Sequence, residues 1–391
     1  MSRIDTTLLR EINCGTVLTA LRADAGAALR LAELSTRTGL SRPTVGVAVD
    51  RLVDAGWVEY VAGDATAPGR PARLARFRST AGYVLGIDAG PHKVLAVLAD
   101  LQGETVATQR TEVPANESAL AVVGGVVDSL LAEAGVAASD VLSCAVGAPG
   151  IVADGEIVHA PSVPGWTSGQ LVAVLAERLS VPIQVHNDAN LAVLAERWCG
   201  AAVDAETVVF VQWGTRLGTG ILIGDRLHRG AHGAAGEIGY SITPEHEQAT
   251  AGEEGLGPLE KAVNATALVE LARQYRPDGE AIARPEDVFA AAREGDGGAK
   301  AAIEAVAVRL ARGLAPVVLT LDPDMVVLGG GLSLAGEAVL KRVRDQLAGL
   351  TLASCQLELS VLGDRAVVVG AVRLALDDVE ARLLPLRPST S

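Results

Sequence analysis

A unit of strand, glycine-containing turn and strand, followed by a second reversal, occurs twice in this chain, at residues 83–103 and again at 207–230. Between and after the two units, apolar segments of strand length alternate with longer helical patterns. Strand-like segments fall at 83–88, 93–99, 104–111, 141–147, 182–186, 207–213, 218–224, 325–328 and 357–362, and helical periodicity at about 117–135, 168–179, 189–199, 259–275, 297–320 and 335–348. That alternation specifies an α/β protein. Two copies of the hairpin unit imply two similar lobes facing a cleft, each hairpin turn pointing into it, with a ligand bound between them.

With 391 residues and 49% hydrophobic side chains, the chain can bury a large core and is long enough for two or three domains. No run approaches the roughly 18 consecutive apolar residues that span a bilayer, and the first residues lack a secretory signal, so a cytoplasmic protein is expected. Cys14, Cys144, Cys199 and Cys355 are isolated, which points to reduced thiols. Charge is unevenly divided. Residues 1–80 hold eleven Arg, no Lys and eight acidic residues, net +3, whereas the rest of the chain carries −17, which brings the whole to −14. A core that acidic repels phosphate backbones, which confines any DNA contact to the N-terminal segment.

That segment reads as a winged helix-turn-helix. After a first helix (Leu8, Leu9, Ile12, Val17, Leu18, Leu21), residues 31–38 form a short helix closed by Gly39, and Ser41 caps a second helix over about 42–55. Val45, Ala48, Val49 and Leu52 face inward from it, leaving Arg42, Thr44, Val47 and Arg51 on the outer face. This is how a recognition helix meets the major groove. Residues 57–61 and 73–77 alternate like the strands of a β-wing around a 63–69 loop. Arg70, beside Pro71 at the base of the wing, is either a minor-groove arginine or a solvated one. The DNA-contact candidates are Arg37, Ser41, Arg42, Thr44, Arg51 and Arg70.

Five further segments occur in order: Gly147-Ala148-Pro149-Gly150-Ile151-Val152, Ala160-Pro161-Ser162-Val163-Pro164-Gly165-Trp166, Asn187-Asp188-Ala189-Asn190, 229–239 (containing Gly236-Glu237-Ile238-Gly239) and Val327-Leu328-Gly329-Gly330-Gly331. In that order and spacing they resemble the ROK family, which holds bacterial sugar kinases and sugar-responsive repressors, over nearly the whole chain. The resemblance implies a two-lobed actin-like, ribonuclease H-like sugar-kinase core. The preceding winged module resembles the repressor branch.

The resemblance makes Asp188 the position that serves the kinases as general base, and Asn187 a ligand for a sugar hydroxyl. The position of Asp188 also fits a cap for the following helix, with ligand contact the preferred reading. Glu237 and, with a two-residue offset, Glu260 match sugar-binding positions of the family, and Tyr240 stands where the family has a His. The ligand set implied is thus Asn187, Asp188, Glu237, Tyr240 and Glu260, with no catalytic residue. The phosphate turns depart from the kinase pattern. The first reads Asp88-Ala89-Gly90-Pro91-His92, where Pro91 has no N–H to donate, and the second Gly214-Thr215-Arg216-Leu217-Gly218. Arg216 is either a holder of an anionic ligand group or a surface arginine. The family's zinc thiolates are replaced by residues 249–256, so neither zinc nor another cofactor is expected, and ATP is not; His228, His232 and His246 read as loop histidines.

The expected function is a DNA-binding transcriptional regulator, a repressor of carbohydrate genes, without enzyme activity. Its partners would be an operator duplex, a sugar or sugar-derivative effector and a second copy of the chain in a homodimer or homotetramer, with no membrane. A carbohydrate kinase with an accessory DNA module is the alternative, and a regulator controlled by a protein partner a third. Expected boundaries are 1–79 for the winged module, 80–198 for a first lobe completed by a C-terminal helix at about 370–391, and 199–369 for the second. The apolar 297–320 helix fits either an oligomer face or a core.

Overall fold

The computed structural model describes residues 6–24, 26–62, 73–114, 117–242, 255–276, 282–353 and 355–383. The N-terminal module comprises α1 (Thr6–Arg22), β1 (Leu29–Arg30), α2 (Leu31–Thr38), α3 (Arg42–Asp54), β2 (Val58–Ala62) and β3 (Arg73–Phe77), with the three strands in one antiparallel sheet ordered β1-β3-β2. Gly39 ends α2 in the left-handed region, φ 71°, a conformation cheap only for glycine. Ser41 then caps α3 by accepting the Thr44 N–H at 3.3 Å. Turn and cap together set the angle between the two helices.

The first lobe runs β4 (Tyr83–Ala89), β5 (Lys93–Asp100), β6 (Thr105–Glu112), α4 (Ala119–Ala134), β7 (Val141–Ala148), the hairpin β8 (Ile151–Ala153) and β9 (Glu156–His159), α5 (Ser168–Ala176), β10 (Ile183–Asn187) and α6 (Asp188–Cys199). Its sheet order is β10-β7-β4-β5-β6. The second lobe runs β11 (Thr207–Trp213), β12 (Leu217–Ile223), β13 (Arg226–Leu227), α7 (Pro258–Val263), α8 (Ala265–Tyr275), α9 (Pro285–Arg293), α10 (Gly297–Leu321), β14 (Met325–Gly329), α11 (Glu337–Ala348) and β15 (Gln356–Leu359), with sheet order β13-β12-β11-β14-β15. The last element among the described residues is α12 (Ala366–Leu383). In each sheet an antiparallel meander is extended by two parallel strands, so the repeat read from the hairpins extends to the topology of both sheets.

Helices α6 and α12 pack against each other between the sheets. Missing side chains make this possible: a Cβ on Gly86 of β4 would meet α12, one on Gly220 of β12 would meet α6, and one on Gly370 of α12 would run into the Leu191 carbonyl of α6. One buried cluster extends from Leu21 and Phe77 of the winged module through Leu101 to Leu376 and Val379 of α12. The module therefore shares a core with the first lobe. The 297–320 pattern belongs to α10, whose buried stripe from Ala299 to Val318 packs into the second lobe and leaves Leu319 exposed.

Several elements depart from the sequence expectation. The 259–275 pattern is two helices, because Asn264 ends α7 and caps α8 through the Ala267 N–H. The approach to α11 begins as a 3-10 turn over Gly331–Ala335. The β8–β9 hairpin, α9 and the start of α12 at Ala366 were not legible as periodic patterns, being short or too uniformly apolar to show a polar face. No helix among the described residues is long and apolar enough to cross a membrane.

Candidate functional site

The two lobes enclose a cavity of about 470 Å³ lined by the β4–β5 turn, the β7–β8 turn and the start of α6 on one side, and by the β11–β12 turn, Glu237, Tyr240, Glu260 and Gly330-Gly331 on the other. Asn187, Asp188, Glu237, Tyr240 and Glu260 all lie on its wall. Their chemical situations differ.

Asn187, not Asp188, caps α6: its Oδ1 accepts the Asn190 N–H at 2.9 Å and its Nδ2 donates to the Gly150 carbonyl at 2.9 Å. Asp188, the first residue of the helix, takes the Ala189 N–H at 2.8 Å on one oxygen and the Gln212 amide at 3.2 Å on the other. Desolvation raises its carboxyl to about 6 against the pull of the Ala189 N–H. Asp88, at the end of β4 and 8% exposed, is lifted to about 7, chiefly by burial, despite Lys93 Nζ 3.5 Å away. Lys93 also pairs with Asp364. Across the cleft, burial raises Glu237, with Glu260 adding to the effect and Arg216 opposing it. No described residue donates a hydrogen bond to the Glu237 carboxylate, which leaves its oxygens available to a ligand.

Glu260, 3% exposed, is occupied. Its oxygens accept the Leu217 N–H at 2.9 Å and the Gly257 N–H at 3.3 Å, and Arg216 Nε lies 3.0 Å away. Arg216 therefore answers to a carboxylate of its own chain, a third outcome beside the anion holder and the surface arginine. Tyr240 Oη donates to the Gly255 carbonyl at 2.9 Å and lies 3.1 Å from Nε2 of His159, which comes from the opposite lobe. His159 and Gln212 escaped the sequence reading. Gln212 had a signal, as the lone amide in an otherwise apolar strand; His159 had none.

In both turns that match the family's phosphate turns, a glycine N–H is engaged within the turn. The Gly90 N–H is used by the Lys93 carbonyl at 2.9 Å, Pro91 has none, and the Gly214 N–H is used by the Arg216 carbonyl at 3.0 Å. The residues matching the family's zinc stretch, 249–256, lie outside the described residues except for Gly255 and Leu256, and His246 lies outside them too; His228 and His232 are exposed.

On the winged module, Arg42, Arg51 and the unanticipated Arg10 and Asn13 lie on or beside the outer face of α3. Arg37 pairs with Asp24 at 2.5 Å, whereas Arg10, Arg42 and Arg51 have no carboxylate partner among the described residues. The Ser41 and Thr44 hydroxyls bond each other at 2.8 Å. In the wing, the Arg73 guanidinium stacks on Tyr60 at 4.2 Å, and Tyr60 donates to Asp50 of α3 at 2.8 Å, which ties wing to helix. Arg70 lies outside the described residues.

Both parts of the chain resemble known proteins. Residues 84–378 match the model of the ROK family, and residues 12–66 that of the MarR family. A xylose repressor of Caldicellulosiruptor bescii is 26% identical over 95% of this chain and 97% of its own. A ROK family transcriptional regulator, a homolog of the E. coli MLC protein, superimposes with a TM-score of 0.77 at 21% identity, covering 96% of this chain and 98% of its own. A ROK family glucokinase from Streptomyces griseus, determined with glucose and AMPPNP, superimposes with a TM-score of 0.66 at 28% identity over 76% of this chain and all of its own. With the two-sheet core and the winged module both matched, the chain belongs to the ROK family.

Proposed function

We propose that this protein is a DNA-binding transcriptional repressor whose interlobe cleft takes a neutral sugar effector. The observation that carries the reading is the joining of arginines around α3, without carboxylate partners among the described residues, to a cleft that presents Asp188 and Glu237 and whose first phosphate turn has Pro91 in place of a backbone donor. The similarity to a xylose repressor supports it by running through both module and core, whereas the glucokinase match is confined to the core. In this reading the winged module ends near residue 79, α12 completes the first lobe, and a homodimer presents two α3 helices to half-sites about 10 bp, or a multiple, apart. Asn187, Asp188, Glu237 and Tyr240 contact the effector, and Glu260 shapes the wall. Arg42, Thr44, Arg51 and Arg70 meet DNA.

The test is electrophoretic or fluorescence binding of the purified full-length chain to duplexes from its own upstream region, with and without xylose, glucose and their phosphates. Specific binding that one sugar relieves is expected; binding no tighter than to random duplex at moderate salt removes the reading. The retained Asp188 and the glucokinase similarity keep a kinase reading testable in the same preparation. Sugar-dependent ADP release above background would establish it.

A further inference from the structure

We infer that Val47 reads the 5-methyl group of a thymine in the major groove; the inference rests on the DNA-binding role proposed above. Val47 lies on the outer face of α3 with 56% of its surface exposed, three residues after Thr44 and four before Arg51. A β-branched residue loses rotamer freedom in a helix, and more than half of this one's surface stays out of its own core. It borders a shallow groove whose other walls include Arg10 and Asn13 of α1 and Arg51 of α3. Neither arginine has a carboxylate partner among the described residues. A cationic rim around one apolar side chain complements a duplex: the guanidiniums suit flanking phosphates, and the groove floor offers an apolar feature only at thymine.

The experiment uses the full-length protein and a duplex enriched from a random pool by rounds of binding at moderate salt. Each thymine of the enriched duplex is then replaced in turn by deoxyuridine, which removes the methyl and leaves pairing and groove hydrogen bonds intact. At one thymine per half-site, Kd should rise about three- to tenfold. Val47→Ala should weaken the parent duplex by a similar factor and show no further loss on the uracil duplex, the non-additivity expected of two groups in contact. Arg10→Ala should instead weaken every duplex alike and lower the salt slope by about one. Uniform tolerance of uracil by the unmodified protein, or full methyl sensitivity retained by Val47→Ala, overturns the inference. Failure of any duplex to enrich overturns the DNA-binding reading itself, a result distinguishable from the other two.

Discussion

The guanidinium of Arg22, the last residue of α1, lies 2.9 Å from the carboxylate of Glu380 on α12. The same guanidinium donates to the Leu101 carbonyl at 3.0 Å and sits over the Phe77 ring at 5.5 Å, while Gln102 returns a hydrogen bond to the Arg22 carbonyl at 2.8 Å. Glu380 is also within 3.6 Å of Arg373, which stacks on Trp198 near the end of α6, the helix that Asp188 begins. Module and cleft therefore meet through two helices. Arg22→Ala should lower stability by about 1–2 kcal/mol in urea unfolding, since both groups are four-fifths buried and the arginine also packs on an aromatic ring. A double-mutant cycle with Glu380→Gln should show coupling of about 1 kcal/mol; additive single effects would contradict the joint.

Tyr240 joins the lobes through its hydroxyl. Tyr240→Phe removes the donor to Gly255 and the contact with His159, at a cost of about 1 kcal/mol. In a chain of this size that is a fall of about 1 °C in Tm by calorimetry. An unchanged Tm would mean that the hydroxyl is equally well solvated in the open cleft.

The two glutamates of the cleft should separate by assay. Glu260→Gln disturbs a buried carboxylate that satisfies two amides and Arg216, so a loss on the order of 2–4 kcal/mol is expected in urea unfolding. Glu237→Gln should leave unfolding almost unchanged and weaken effector binding. If the destabilisation falls on Glu237 instead, the assignment of roles is reversed.

Stability should depend on Asp88 at near-neutral pH. Burial raises its carboxyl from the ordinary range to about 7, so the folded state holds the proton more tightly than the unfolded chain. Its contribution is fully present below about 4 and is lost as pH rises through about 7, with Asp188 acting alike up to about 6. His186, pushed down to about 4 by burial and Arg229, works the other way and loses its contribution as pH falls from about 6.5. Above that point the Asp88 effect stands alone. Asp88→Asn should therefore narrow the difference in Tm between about pH 6.5 and pH 8, and an unaltered difference would refute the assignment.

Contact between α6 and α12 leaves no room at Gly370. Gly370→Ala places a methyl against the Leu191 carbonyl and must spread the helices, at an expected cost of about 2–3 kcal/mol read from the urea midpoint. A stable Gly370→Ala variant would show that the pair slides freely.

Local patterns carried much of this molecule in plain view. Ser41 and Gly39 bracket the turn before α3 because capping and left-handed geometry are properties of the residues themselves. Period-two alternation and the paired hairpins likewise announced two lobes, because each strand's apolar face must be buried wherever the strand lies. Pro91 excludes a backbone donor from the first turn in any fold. Contacts between distant residues were beyond that reading. Whether Asn187 or Asp188 capped α6, whether Glu260 stood free or answered Leu217, Gly257 and Arg216, and whether Arg22 met Glu380 across 358 positions depended on how the helices and sheets dock. Side-chain type sets what a group can bond; only the packed tertiary structure decides which partner reaches it and how much water is excluded when it does.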